Sequence, residues 1–309
     1  MPSDLPQLPR RPRVIGLGEA VWDIFPDSRR AGGAPGNVAY HVQQLGAIAQ
    51  LATRFGADED GRALAAHLAG EGLDLSLVQY DPELPTGQVT VHLEDAAHPH
   101  YTIHQPAAWD RLQPEPALLK AAAEADAVCF GTLAQRSPES RETIRQVLEA
   151  TSDRCLLVYD VNLRQHYYSR EIIEDSLAIT SIAKINHEEV AIVAPLLELP
   201  TDEREFAEAA VDEYMLDAVC ITRAAEGCLV VSGDADYEIP GERVTVADTV
   251  GSGDAFTAAL IVSLCLDWPL EQAARFANQV GAVVATKVGA TPRVAADYSR
   301  LWDAFSPRS

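Results

Sequence analysis

Residues 248–264 read DTVGSGDAFTAALIVSL. The centre, Gly251-Ser252-Gly253-Asp254, lies between alternating apolar residues (VTVADTV, 244–250) and a near-continuous apolar run (AFTAALIVSL, 255–264). That order predicts a strand, a tight turn and a buried helix, the unit from which a helix-covered sheet is built. Two glycines let backbone approach a bound group closely, and amides at a helix N-terminus favour an anion. Asp254 complicates this, because a carboxylate repels an anion. It makes sense as a base: an acid kept ionised by the helix dipole can accept a proton from a neutral hydroxyl while the neighbouring amides hold developing charge. An Asp here also suits a helix cap, and the stretch alone leaves both readings open.

Working outward, apolar strand patterns alternate with helix patterns along most of the chain. Strands are expected at RVIGLG (13–18), AIAQLATRFG (47–56), DAVCFGTL (126–133), CLLVYDVN (155–162), SIAKIN (181–186), DAVCIT (217–222), GCLVVSG (227–233) and ERVTVADT (242–249). Helices are expected from the glycine-rich GGAPGN onward, at 58–72, 138–151, 170–180, 187–197 and 203–214, with two more closing the chain. Near-continuous apolar strands separated by helices indicate a mostly parallel sheet covered on both faces. One stretch breaks the pattern: TGQVTVHLEDAAHPHYTIHQ (86–105) alternates apolar and polar residues about a loop, as a hairpin with one wet face does. The expected organisation is a three-layer α/β core from 1–19, 36–86 and 109–309, with 20–35 and 87–108 forming a small β lid.

Composition narrows the function. Among 309 residues, 24 Lys+Arg against 46 Asp+Glu give a net charge of −22, which argues against nucleic acid or an anionic membrane as partner. The three lysines, Lys120, Lys184 and Lys287, do not follow a glycine-rich P-loop pattern. The five cysteines are scattered without a CxxC and read as buried thiols in a reducing compartment. The polar, proline-rich start lacks the apolar core of a signal peptide, and no apolar run is long enough to span a bilayer, so a cytoplasmic location is expected.

In order, GGAPGN (32–37), DVNLR (160–164), NHEE (186–189) and DTVGSGD (248–254) resemble the signature stretches of the ribokinase-like (PfkB) sugar kinases. The wider strings GEAVWDIFPD, GGAPGNVAYHVQQLG and YTIHQPAAWDRL look most like bacterial fructokinases of that family. The resemblance implies transfer of the ATP γ-phosphoryl group to a sugar hydroxyl, with Mg²⁺ required and K⁺ left open. Asp254 would be the base, and Gly251, Ser252 and Gly253 the anion hole. Asp23, Gly33 and Asn37 would grip sugar hydroxyls, Asn162 would sit between sugar and phosphate, and Arg164 would clamp phosphate oxygens. Asn186, Thr222, Gly227 and Asn278 would line the ATP site, with Glu189 ordering Mg²⁺ waters. Asp248, Val250 and Gly289 would offer oxygens to a monovalent cation, although Arg293 stands where several members place a serine. A homodimer through the lids is also implied. Fructose is the expected sugar, with ribose, 2-keto-3-deoxygluconate or a nucleoside as alternatives. A nicotinamide-dependent dehydrogenase is the rival from another class, but GLGEAV and GSGDAF each lack the third glycine of a dinucleotide fingerprint.

Overall fold

In a computed structural model, which describes residues 5–92 and 100–306, the alternating pattern becomes a twisted sheet with helices on both faces. The chain opens with β1 (Arg13–Leu17), β2 (Val21–Ile24), β3 (Arg29–Gly32), α1 (Ala34–Gln44), β4 (Ile48–Ala52), β5 (Arg54–Gly56) and α2 (Glu59–Gly70). Then come β6 (Gln79–Asp81), β7 (Gly87–His92), β8 (His100–Ile103), α3 (Pro116–Ala123), β9 (Ala127–Gly131), α4 (Pro138–Glu149) and β10 (Leu156–Asp160). The second half holds α5 (Arg170–Leu177), β11 (Ile182–Asn186), α6 (His187–Leu197), α7 (Glu203–Tyr214), β12 (Ala218–Thr222), β13 (Gly227–Ser232) and β14 (Asp236–Pro240). Three helices close the chain: α8 (Ser252–Leu264), α9 (Leu270–Ala285) and α10 (Ala295–Phe305).

The large sheet runs β14-β13-β12-β11-β10-β9-β1-β4, parallel from β4 through β12 and antiparallel over its last two pairs. Each inner strand sends alternate residues to opposite faces, as the pleat requires. Val14, Cys129, Val158 and Cys220 join one core with α1, α8, α9 and α10. Ile15, Val128, Leu157, Tyr159 and Val219 join the other with α3, α4, α5, α6 and α7. All five cysteines are buried free thiols, and no helix among the described residues is long and apolar enough to cross a membrane. Residues 21–32, 87–92 and 100–103 supply a separate four-stranded sheet, β3-β2-β7-β8. The centre of the expected hairpin, 93–99, lies outside the described residues.

Three local expectations need correction. The strand expected at 242–249 does not form. Val244 and Val246 are 39% and 56% exposed, and the amides of Ala247 and Asp248 bond the Ala285 carbonyl at the end of α9 instead of another strand. The run 47–56 is two strands, because the chain leaves the large sheet after Ala52 and β5 pairs with β6. Two closing helices become three, since the loop 286–294 separates α9 from α10.

Candidate active site

The start of α8 lies beside the start of α1, where the two glycine-rich stretches meet. Gly251 is the N-cap of α8 with φ +80°, a left-handed conformation that glycine adopts without strain. A Cβ there would come within 2.5 Å of the Ala290 carbonyl oxygen, so no other residue fits without a shift. Ser252, Gly253 and Asp254 form the first turn. The Ser252 amide bonds the Thr249 carbonyl at 3.3 Å, while those of Gly253 and Asp254 have no acceptor among the described residues. The anion hole expected at Gly251, Ser252 and Gly253 is therefore corrected at Ser252, whose amide is taken, while among the described residues the amides of Gly253 and Asp254 beyond the Gly251 hinge are free.

Asp254 is not the cap. It sits in the third helical position, and its Oδ2 accepts a 2.8 Å hydrogen bond from Nδ2 of Asn37, 217 residues earlier in sequence. Asn37 is not a cap either, because α1 begins at Ala34 with Gly33 before it. Burial, reinforced by Asp160, pushes the Asp254 carboxyl up to about 6 against the opposing pull of Asn37, Lys184 and Arg164. The dipole alone would hold it lower; enclosure and a second acid win. The group is mainly ionised at neutral pH with a proton affinity suited to a base.

Sequence reasoning missed the residues beneath this turn. Lys184 in β11 and Asp160 in β10 are register neighbours, both nearly fully buried, with Nζ 3.0 Å from Oδ1. Thr257 Oγ1 donates to the other Asp160 oxygen at 2.9 Å. A Cβ on Gly253 would lie 3.2 Å from Lys184 Nζ, so the ammonium backs directly onto the anion hole. Burial would lower the Lys184 ammonium, but Asp160, Glu189 and Asp254 outweigh it and raise it, and the charge is retained. The signal was available: one of three lysines stood inside an apolar strand, where a charge requires a partner.

On the lid side, Asp23 projects from β2 across the sheet. Its Oδ2 occupies the space that a Cβ on Gly32 would take, at 2.3 Å. Burial pushes the Asp23 carboxyl up to about 6, with Arg164 and Arg30 opposing. Gly33, at φ +107°, packs on the backbone of Glu19 and Ala20. Glu19 has no role of its own in the sequence reading, standing only within the GLGEAV and GEAVWDIFPD strings, yet it is buried beside the α1 N-terminus with Oε2 lacking any partner among the described residues. Burial pushes its carboxyl to about 7, opposed by its own backbone amide and by Arg164. Asn162, at φ +41°, and the exposed Arg164 form the turn after β10, and Arg164 faces this acidic group without an ion pair among the described residues.

The remaining expected residues lie at the ends of β11, β12 and β13. Asn186 and Glu189 form a reciprocal cap on α6. Asn186 Oδ1 accepts from the Glu189 amide, and Glu189 Oε2 from the Asn186 amide, both at 2.9 Å. Glu189 Oε1 also accepts from the Leu163 amide at 2.8 Å. Thr222 is the register partner of Asn186, and Gly227 starts the next strand. Between them Ala224 adopts φ +49°, where a glycine would be unstrained. A cavity of about 550 Å³ opens here, lined by His187, Glu203, Arg223, Ala224, Ala225 and Glu226. Asn278 does not point freely into it; its Nδ2 donates to the Pro240 carbonyl at 2.9 Å. Asp248 links two loops, accepting from the amides of Val250 (3.1 Å) and Gly289 (3.0 Å). Arg293, in the same loop as Gly289, has its side chain 80% exposed and reaches Glu71 at 3.3 Å.

Residues 18–296 match the pfkB family carbohydrate kinases. An uncharacterized sugar kinase of Pyrococcus horikoshii is 32% identical over 283 residues, 88% of this chain and 86% of that protein. Its structure in complex with ATP superposes with a TM-score of 0.78 at 26% identity, over 93% of this chain and 98% of that one. A fructokinase of Vibrio alginolyticus is 27% identical over 297 residues, 90% of this chain and 94% of its own. The chain therefore belongs to the PfkB family of carbohydrate kinases and is a phosphotransferase with an alcohol group as acceptor.

Proposed function

We propose that the chain is an ATP-dependent fructokinase, converting fructose to fructose 6-phosphate. The observation that carries the mechanism is the Asn37–Asp254 hydrogen bond, which brings the two glycine-rich stretches together on one acid beside two free helix amides. Fructose is supported by the likeness to the Vibrio fructokinase over nearly the whole chain.

The residues suit Mg-ATP. Two unbonded amides backed by a buried ammonium form a phosphate cradle, and the cavity beyond β11–β13 has room for the rest of the nucleotide. Among the described residues no three His, Cys, Asp or Glu cluster as a metal cage, which suits Mg²⁺ held mainly by phosphate oxygens and water. Bound Mg-ATP would supply the γ-phosphoryl group and a divalent charge to neutralise it. Asp254 accepts the proton of the sugar hydroxyl, oriented by Asn37. Gly253 and Asp254 donate their amides to the charge that develops opposite, with Lys184 beneath them. Asp23, Gly33 and Asn37 hold sugar hydroxyls, Asn162 is assigned between sugar and phosphate, and Arg164 to a clamp on phosphate oxygens. Asn186, Thr222, Gly227 and Asn278 are assigned to the nucleotide, and Glu189 to the waters of Mg²⁺. Oxygens of Asp248, Val250 and Gly289 are assigned to a monovalent cation; a Cβ on Gly289 would meet nothing within 4 Å, so there is open space beside it.

The division proposed is a core of 1–19, 36–86 and 109–309, with 20–35 and 87–108 as lid. We further place a homodimer at the outer lid face, where Tyr101 is half exposed.

ADP release with Mg-ATP over fructose, ribose, 2-keto-3-deoxygluconate and nucleosides tests the reading. We expect fructose to lead in kcat/KM by about tenfold or more, roughly 1.4 kcal/mol of discrimination. A lead by another sugar or a nucleoside replaces fructose, and silence across the panel overturns the reading.

A further inference from the structure

Three side chains of α1 reach toward the ends of other elements. Asn37, Tyr40 and His41 are spaced by three and four residues, which places them on one helical face. Asn37 holds Asp254. Tyr40 donates its hydroxyl to the Pro292 carbonyl at 3.1 Å. His41 is fully buried, with Nε2 2.8 Å from the Ala290 carbonyl oxygen and Nδ1 2.8 Å from the Tyr298 hydroxyl. A carbonyl only accepts, so Nε2 carries the proton and Nδ1 accepts from Tyr298. Burial pushes the imidazole down to about 4, so this neutral form holds throughout the physiological range.

A buried histidine with both nitrogens satisfied is often only a core residue. Here the carbonyl it holds belongs to the residue against which Gly251 is packed. A Cβ on Gly251 would meet the Ala290 oxygen at 2.5 Å and its Cα at 2.6 Å, so Ala290 is the wall of the hinge that opens the anion hole. We infer that His41 is a positioning residue for phosphoryl transfer: through the Ala290 carbonyl it fixes Gly251, and with it the anion hole, relative to the Asp254 carboxylate that Asn37 holds from the same helix. This deepens the reading of Asp254 as base and of the 251–254 turn as anion hole, and it rests on that reading.

A small displacement of a positioned group lowers rate by up to about 10²-fold, and it acts on the transition state more than on ground-state binding. His41→Met fills the site with an apolar side chain and removes the donor to Ala290, together with the acceptor of Tyr298. It should lower kcat about 10- to 100-fold, with KM for sugar and Mg-ATP changed by less than about twofold. His41→Gln can still present an amide N–H to Ala290 and should recover most of that loss even where its melting temperature falls as far as that of His41→Met. Turnover per folded molecule that stays at the wild-type level in His41→Met, or that Gln fails to restore at equal stability, overturns the inference. Where His41→Met does not fold, Tyr298→Phe removes the hydroxyl that donates to His41 Nδ1 and so loosens the ring that holds Ala290; it should lower kcat in the same direction, and wild-type kcat would overturn the inference equally. Asp254→Asn, assayed alongside, separates the two levels. If it retains full turnover, the underlying reading fails; if it is slow while His41→Met is fast, only the role of His41 fails.

Discussion

The two sides of the cleft are built differently. Around Asp254, burial pushes three carboxyls up, Asp23 and Asp254 to about 6 and Glu19 to about 7, and the amides of Gly253 and Asp254 have no acceptor among the described residues. Across the cleft, both Glu189 oxygens, Asn186 Oδ1 and Asn278 Nδ2 bond the protein's own backbone. The first side carries an electrostatic cost in the free protein and is ready for a ligand that relieves it. The second also buries an acid, and burial raises the Glu189 carboxyl, but both oxygens of that acid are taken by backbone amides, so it positions backbone more than it presents side chains. Chemistry belongs where groups are held but unsatisfied.

The sharpest way to break this contrast is Asp254→Asn, which keeps the size and the helix N-terminus but removes the proton acceptor. We expect kcat to fall roughly 10²–10⁴-fold, about 3–5 kcal/mol of barrier, with KM little changed. Near-normal steady-state turnover would reduce Asp254 to a structural acid.

Glu19 tests the cost carried by the acidic side. Its folded-state value near 7 lies above its ordinary 4.5, so the unfolded chain gives up this proton first. The stability contributed by the protonated form is complete below about 4.5 and is lost as pH rises through 7. Glu19→Gln stays neutral, so at pH 8 it should exceed the wild type in stability on the order of 2–3 kcal/mol, a gain that vanishes near pH 4. Denaturant unfolding at the two pH values measures this. An equal difference at both would show that Glu19 is not held protonated.

Glu189→Gln probes the satisfied side and should have the smallest effect. An amide nitrogen cannot accept, so one of the Leu163 and Asn186 amides loses its partner, at about 1–2 kcal/mol of stability. If Glu189 also orders Mg²⁺ waters, the Mg²⁺ concentration for half-maximal rate should rise; an unchanged Mg²⁺ titration with a lowered melting temperature leaves it a cap alone.

Much of the fold was legible because buried parallel strands and amphipathic helices have distinct periods, and Gly251 to Asp254 stood at one of their junctions. The misread strand at 242–249 shows the limit. Alternating valines satisfy the pattern of a strand, but pairing needs a neighbour, and here the backbone bonds the end of α9. Asp254 and Asn37 were legible as separate candidates from their glycine-rich settings, whereas their contact depends on how α1 and α8 pack. Lys184 and Glu19 carry no motif. Their importance comes from burial beside other charges, which only the folded chain creates.

The contact between α1 and α8 also has an entropic consequence. The interior of these helices is rich in small side chains, with Ala39, Ala255, Ala258 and Ala259 all fully buried. Alanine has no rotamer to lose, so fixing these residues costs almost no side-chain entropy beyond that of the backbone. The acid, its amide partner and the wall of the hinge are thus held by groups with few alternative arrangements, and Asn37 and Asp254 keep their register without a long, flexible side chain having to be frozen between the two helices.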